Sequence, residues 1–449
     1  MLLSLPMKSP LFVLASLLSG SLLAAAELTS LGPGLTPVGA EQQGNAAGTI
    51  PAWEGGLAKA PPGFTPGAHH PDPFPEDPIL FTVTAKNLDT HRAQLGPGLL
   101  AMFGKYPGLL MHVYPTRRSA AFPQRIYQMT LRNAQHGQML GDGEGVAHVS
   151  EGFPFPLPKT GAEVIWNHRL KYKGSTVRRW ENLVTPSAAG AFTPVRIRES
   201  MLGLYFQKDV SQATLAQVSG YFLQEVMSPP RLAGNVLLGH GSLNPDQPRQ
   251  AWIYNQGQRR VRKAPQVGYD NPSAGSDGLR SNDMSDMFNG SLDRYNFKLL
   301  GKREMLVNYN SYKAHAVGVK YQDFVRPGFL NPELMHYELH RVWVVDATLK
   351  PGKSHQMARR TFYLDEDSWQ IMMLEHYDSA GQLWRYSEAA GINYYDQPLF
   401  WTTVEAHYDL KSGRYLASGL DNLEDCYDFQ APLRPEDFSP QSLRNMGTR

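Results

Sequence analysis

From about Thr176 onward, runs rich in Val, Tyr, Phe, Trp, Ile and Thr recur between short turn signals, and this rhythm constrains the fold more than any other feature. Gln250-Ala251-Trp252-Ile253-Tyr254 passes through Asn255-Gln256-Gly257-Gln258 into Arg259-Arg260-Val261-Arg262, a hairpin with a glycine turn. Arg341 to Leu349 reads as a strand, Pro351-Gly352 as its turn and His355 to Leu364 as its partner. Trp369 to Tyr377 pairs through Asp378-Ser379-Ala380-Gly381 with Gln382 to Glu388, and His407-Tyr408-Asp409 turns at Ser412-Gly413 into Arg414 to Leu420. Successive hairpins of this kind predict an antiparallel meander with few crossover helices, interrupted by a helix around Asn282 to Phe288.

Alternation along these strands is only partial. Trp343, Val345, Ala347 and Leu349 are apolar on one face, but Val342 and Val344 are apolar on the other, and Ile371 to Leu374 run unbroken. A strand apolar on both faces needs cover on both. Helices can supply one cover; the other face must pack on something or enclose an apolar cavity.

The earlier chain reads differently. Thr84 to Leu95, Leu99 to Tyr106 (opened by Pro97) and Gln124 to Gln135 are predicted helices, and Met111 to Tyr114 a short strand. Thr160-Gly161-Ala162-Glu163 is a capping box that starts a helix through Ile165, Trp166 and Leu170, ending near Gly174. Before that, Glu27 to Pro78 is dominated by Gly, Pro and small polar residues, as in Leu31-Gly32-Pro33-Gly34. Ile50, Trp53, Leu57 and Phe64 are spaced to anchor it as an ordered arm on a folded body.

The first residues read as an export signal: Lys8, an apolar run from Leu11 to Leu23, then Ala24-Ala25-Ala26 as a cleavage site. The expected organisation is a signal peptide over 1–26, an arm over 27–78 and one large α+β domain over 79–449, strand-rich from about 176. Cys426 is the only cysteine, so no intramolecular disulfide forms and no cysteine at the cleavage point takes a lipid. No later stretch approaches a membrane span, and the expected location is the periplasm. A net charge of +2 gives no electrostatic footprint for a nucleic-acid partner.

Several short motifs invite a chemical reading and fail on context. Gly352-Lys353-Ser354 ends like a phosphate loop, but strands flank it and no helix N-terminus faces a phosphate. Ser276 in Ala274-Gly275-Ser276-Asp277-Gly278 lacks the apolar strand that precedes a nucleophile elbow. Cys426 has the acidic neighbours Glu424, Asp425 and Asp428, which blunt a thiolate, so it reads as structural. His336, Glu338 and His340 share one face if the segment is a strand, a geometry able to hold zinc, against the plainer reading of a polar outer face. His69-His70 is a weaker pair in a Pro-rich loop. Two readings stand for Arg259, Arg260 and Arg262: contact with phosphate headgroups or an acidic partner, or a solvated edge strand whose charge resists aggregation.

Trp252-Ile253-Tyr254, Arg259 to Lys263 and Ser281 to Phe288 resemble a stretch of outer-membrane lipoprotein-sorting proteins, and Glu375-His376-Tyr377-Asp378 with Gly381 resembles their "YYD-x-x-G" hairpin. The resemblance implies the LolA/LolB fold, a curved, incomplete antiparallel barrel with helices covering or plugging a cavity for acyl chains. Over the whole mature chain, Leu35-Thr36-Pro37-Val38-Gly39-Ala40-Glu41, Thr49-Ile50-Pro51-Ala52-Trp53, Val113-Tyr114-Pro115-Thr116-Arg117-Arg118, Trp166-Asn167-His168-Arg169 and Val344-Val345-Asp346-Ala347 resemble an uncharacterised proteobacterial family in that superfamily, the domain of unknown function 1329. Its first half has no counterpart in the minimal carriers.

These readings converge on a periplasmic carrier or chaperone for a hydrophobic ligand: a lipid, an acylated protein or an apolar metabolite. Trp252, Tyr254, Trp343, Val345, Phe362, Met373 and Trp384 are the expected ligand contacts, with Arg259, Arg260 and Arg262 at a headgroup or partner, and no cofactor or metal. One alternative is a structural adaptor between an inner-membrane transporter and an outer-membrane β-barrel. Another is a metal-dependent hydrolase built on His336, Glu338 and His340.

Overall fold

Among the described residues, β-branched and aromatic runs separated by Gly and Pro turns become seventeen strands, fifteen of them in one predominantly antiparallel sheet. The computed structural model describes residues 29–265 and 269–446; the expected signal peptide lies outside the described residues. In chain order the strands are β1 (Phe81–Thr84), β2 (Leu110–Val113), β3 (Gln138–Leu140), β4 (Gly145–Ala147), β5 (Thr176–Val184), β6 (Val195–Leu202), β7 (Gly220–Ser228), β8 (Val236–Gly241), β9 (Gln250–Asn255) and β10 (Arg260–Lys263). After them come β11 (Tyr295–Asn308), β12 (Tyr337–Leu349), β13 (Arg359–Asp365), β14 (Ile371–Tyr377), β15 (Leu383–Tyr394), β16 (Leu399–Asp409) and β17 (Tyr415–Leu420).

Two meanders make most of the sheet, and the hairpin β1–β2 adds to it through one parallel bridge of Val113 to Tyr337 on β12. β11 to β17 pair in sequence, β5 to β10 pair in sequence, and β17 joins them by pairing with β5, as at Ala417 opposite Val184. Strands β10 and β11 are left as free edges, so the curved sheet does not close into a barrel. The segment between those edges crosses the inner face. Arg280 reaches Ser418 on β17 (3.3 Å), and Asp283 accepts from Arg360 on β13 at 2.6 Å.

Both faces are covered, as the two-sided apolar pattern requires. On one face Val345, Phe362 and Leu374 stand side by side by register and pack with Ile165 and Trp166 of the helix Gly161–Arg169 and with Phe288. That helix carries the expected capping box: Thr160 Oγ1 accepts from the Glu163 N–H at 3.2 Å, and Glu163 accepts from the Thr160 N–H at 3.2 Å. On the other face Val344, Tyr363 and Met373 stand in register with Glu388, beneath Leu99, Met102 and Phe103 of the helix Pro97–Lys105. Gly98 makes that approach possible: a Cβ there would lie 2.1 Å from Tyr386 Cδ2.

Glu388 is buried in this second layer, where the Tyr337 and Tyr408 hydroxyls donate to it at 3.1 and 3.2 Å. Burial pushes its carboxyl up to about 7, with the tyrosine hydrogen bonds pulling the other way.

Two predicted helices are corrected. Residues 84–95 hold only single turns at Leu88–His91 and Arg92–Gln94, because Phe81–Thr84 pairs with β2 and the Asn87 side chain accepts from the Thr84 N–H at 2.7 Å, turning the chain. Around 282–288 there is one 3₁₀ turn, Asn282–Met284; extended backbone at Ser285 ends it, and positive φ at Asp286 (53°) and Met287 (63°) keeps a helix from resuming. The plug inside the sheet is therefore largely irregular chain, with the helix Gly161–Arg169 beside it.

Residues 29–78 lie on the body in extended and turn conformations. Ile50 is buried, the Leu57 N–H donates to the Ser119 carbonyl at 2.8 Å, and Trp369 Nε1 donates to the Val38 carbonyl at 3.1 Å. Arg118 clamps the arm, donating to both carboxylate oxygens of Asp367 (2.8 and 2.7 Å) and to the Glu41 carbonyl at 2.7 Å.

Candidate ligand cavity

Alternation in β5 to β8 places one residue in two on the inner face, and register aligns these into rows. Arg179, Glu199, Gln224 and Leu237 form one row; Val177, Met201, Phe222 and Gly239 form the next; Gly220 stands opposite Gly241 in the third. Facing them are Trp166, Arg169 and Leu170 from the end of a helix, Tyr205 and Phe206, and Asp286 and Asn289 of the crossing segment. Between the layers is a cavity of ≈ 210 Å³. At Gly239, an added Cβ would meet no atom within 4 Å, so this position opens straight into space.

Charges lie at both ends of the apolar row. Arg179 donates to Glu199 at 2.5 Å, sits 3.6 Å from Glu181 and lies over the Trp401 ring at 4.5 Å. Burial and the Glu199 charge push Glu181 up to about 8. Lys171 and Lys173 both donate to Asp286, at 2.5 and 2.8 Å. Burial draws Lys171 down to about 7 against the pull of Asp286.

Level with Gly241, just before β9, stands Arg249, whose guanidinium donates to the carbonyl and side-chain oxygens of Asn289 at 2.8 and 2.7 Å. Arg169 lies over the Trp166 ring at 4.2 Å, and its buried Nε has no hydrogen-bond partner. Burial, then the neighbouring charge of Arg249, bring Arg169 down to about 9.

None of the seven expected ligand contacts lines this cavity, and they fall into separate places: Val345 pairs with Phe362 and Trp252 packs with Tyr254, but the seven form no single site. Trp252 and Tyr254 pair with Leu238 and Val236 and so project from the opposite face of β9, packing with Phe438 and Leu443 by the C-terminal helix Pro440–Met446. Val345 and Phe362 are on the inner face but further along the sheet, where core side chains fill the space; Phe362 meets Phe288 at 5.3 Å. Trp343 stacks on Trp369 at 6.0 Å. Met373 is in the second layer, and Trp384 donates to Asp409 at 3.1 Å. Arg259, Arg260 and Arg262 are exposed, Arg260 and Arg262 on the free edge strand β10.

The cavity residues that sequence reasoning missed are Val177, Met201, Phe222, Leu237 and Gly239, together with Arg169 and Arg249. Their only signal is spacing by two within each strand.

His336, Glu338 and His340 do share one face, but that face is buried rather than outer. Glu338 accepts from His340 Nε2 (3.0 Å), from the Arg117 N–H (2.7 Å) and from Asn310 Nδ2 (2.7 Å), with His336 at 3.4 Å. Against the effect of burial, Asp365 and Glu338 raise His340 to about 9, which keeps a proton where a metal needs a lone pair. One oxygen or nitrogen from each of His340, Asp365 and Asp367 lies within 4.8 Å of the others, yet Arg118 already holds Asp367 through both oxygens. The arrangement serves as a charge network under the arm.

Comparison with known proteins adds the following. The family described as "Protein of unknown function (DUF1329)" matches residues 82–444. Over 440 residues, 97% of each chain, the sequence is 46% identical to an uncharacterized protein of Pseudomonas aeruginosa. Among solved structures, a DUF1329 family protein from Desulfovibrio piger aligns with TM-score 0.44 at 14% identity, covering 63% of this chain and 97% of its own. A Vibrio parahaemolyticus domain named for outer-membrane lipoprotein sorting aligns with TM-score 0.43 at 15% identity, covering 64% and 98%. A LolA superfamily protein from Nitrosomonas europaea aligns with TM-score 0.38 at 12% identity, covering 63% and 98%.

Proposed function

The chain belongs to the DUF1329 family, and from that premise we propose that this member is a carrier for a hydrophobic or amphipathic ligand in the cell envelope. The observation that carries the reading is the ≈ 210 Å³ cavity between β5–β8 and the crossing segment, floored by Val177, Met201, Phe222 and Gly239. Each methylene moved from water into such a site contributes about 0.8 kcal/mol. An alkyl chain of about ten methylenes gains about 8 kcal/mol, comparable with the cost of association, and a change in the crossing segment that closes the space releases it. The export-type N-terminus supports a periplasmic location, and no helix among the described residues is long and apolar enough to cross a membrane.

Gly239→Phe tests the reading, because the position has room and no left-handed backbone to strain. Titration with the apolar fluorophore N-phenyl-1-naphthylamine is expected to show uptake by the native protein and at least about tenfold weaker uptake by the variant. Native mass spectrometry of gently purified protein is expected to show bound lipid. Absence of uptake and of lipid in the native protein, or uptake indifferent to Gly239→Phe, would refute it.

A further inference from the structure

Sorting the cations around the cavity by what neutralises them leaves two over. Lys173 and its neighbour Lys171 are held by Asp286, and Arg179 by Glu199 and Glu181. Arg280, although without a carboxylate within 4 Å among the described residues, donates to Ser273 and Ser418 and lies within electrostatic reach of Glu181. Arg169 and Arg249 have no such partner: among the described residues no carboxylate lies within 4 Å of either. Arg249 is met only by neutral oxygens of Asn289, and Arg169 by the face of Trp166.

Two half-buried guanidiniums lining one space without a counter-charge form an unfavourable arrangement that an anion between them would relieve. Their position suits one. Along the strands the order is the ion-paired Arg179 row, the apolar row ending at Gly239 and then the Gly220–Gly241 pair, and Arg249, just before the Gln250 that pairs with His240, stands level with Gly241 on the next strand. Arg169, Ser242 and Arg249 also line a second hollow of ≈ 180 Å³, so they stand where the two spaces meet. Glu144 and Asp293 are in the wall of that second hollow, and Glu144 is engaged by Lys350.

We propose that Arg169 and Arg249 form a headgroup subsite that selects a single-chain anionic amphiphile, with the carboxylate or phosphate between the two guanidiniums and the alkyl chain along Gly239, Phe222 and Met201. The subsite rests on the carrier reading and adds the class of cargo. Guanidinium forks match both anions bidentately, and charge-assisted hydrogen bonds of this kind are about twice as strong as neutral ones.

Titration calorimetry with dodecanoate, dodecyl phosphate and dodecanol tests this at about pH 8, where the first two are anionic. For the native protein, one or both anions are expected to bind at least about tenfold more tightly than the alcohol, and comparison of the two anions identifies the headgroup. In Arg249→Gln and Arg169→Gln the ratio of anion to dodecanol affinity is expected to fall at least about threefold, with circular dichroism confirming the fold. Equal affinity of the native protein for all three probes overturns the subsite and leaves the carrier standing. Failure of all three to bind overturns both. A preference that survives in both folded variants also overturns the assignment.

Discussion

Glu388 makes stability depend on pH in a direction opposite to the usual carboxylate. In the unfolded chain it ionises around its ordinary value of 4.5, whereas in the fold burial holds its proton until about 7. Between those values the native state binds more protons than the unfolded one, so its contribution is complete below 4.5 and is lost as pH rises through 7. A displacement of this size at 1.36 kcal/mol per pH unit amounts to about 3 kcal/mol. Glu388→Gln keeps the shape and removes the titration. Tyr337 and Tyr408 now donate to the carboxyl, and one of them must instead accept from the amide, a change common to all pH values. The stability of the variant relative to the native protein, from urea unfolding followed by tryptophan fluorescence, is therefore expected to increase by about 3 kcal/mol from about pH 4 to about pH 8. A difference that stays constant to within about 1 kcal/mol would refute the reasoning.

The other predictions concern the arm and a helix. Arg118→Ala leaves Asp367 buried without its cation, while Glu366 keeps Arg341 and Lys302, and is expected to cost about 3–5 kcal/mol, with faster proteolysis within 29–78 as the local readout. Thr160→Ala removes the N-cap of the helix Gly161–Arg169 and is expected to lower stability by about 1 kcal/mol in thermal unfolding.

Local features were readable in the sequence where one physical signal dominated. The hairpins after residue 340, the capping box at Thr160 and the helix opened by Pro97 all follow from turn, cap and ring chemistry within a few residues. The cavity was not readable for two reasons. In β9 both Trp252 and Ala251 are credible inward residues, and only pairing with β8, together with cover from the C-terminal helix, decides that Trp252 faces away. In β5 the run Arg178-Arg179-Trp180-Glu181 looks like a solvated edge, yet Glu199, Trp401 and Tyr427 draw Arg179 inside, and those partners come from remote strands and from beyond β17. The β17–β5 pairing that brings the two meanders together has no local signature at all.

The arm has one more consequence. Val38 is held by Trp369, 331 positions later, and the Leu57 carbonyl by Asn393, 336 positions later. These two contacts of the arm thus form only after most of the polypeptide has been made. A protein whose arm is fastened by residues 331 and 336 positions later cannot complete its fold until those residues exist.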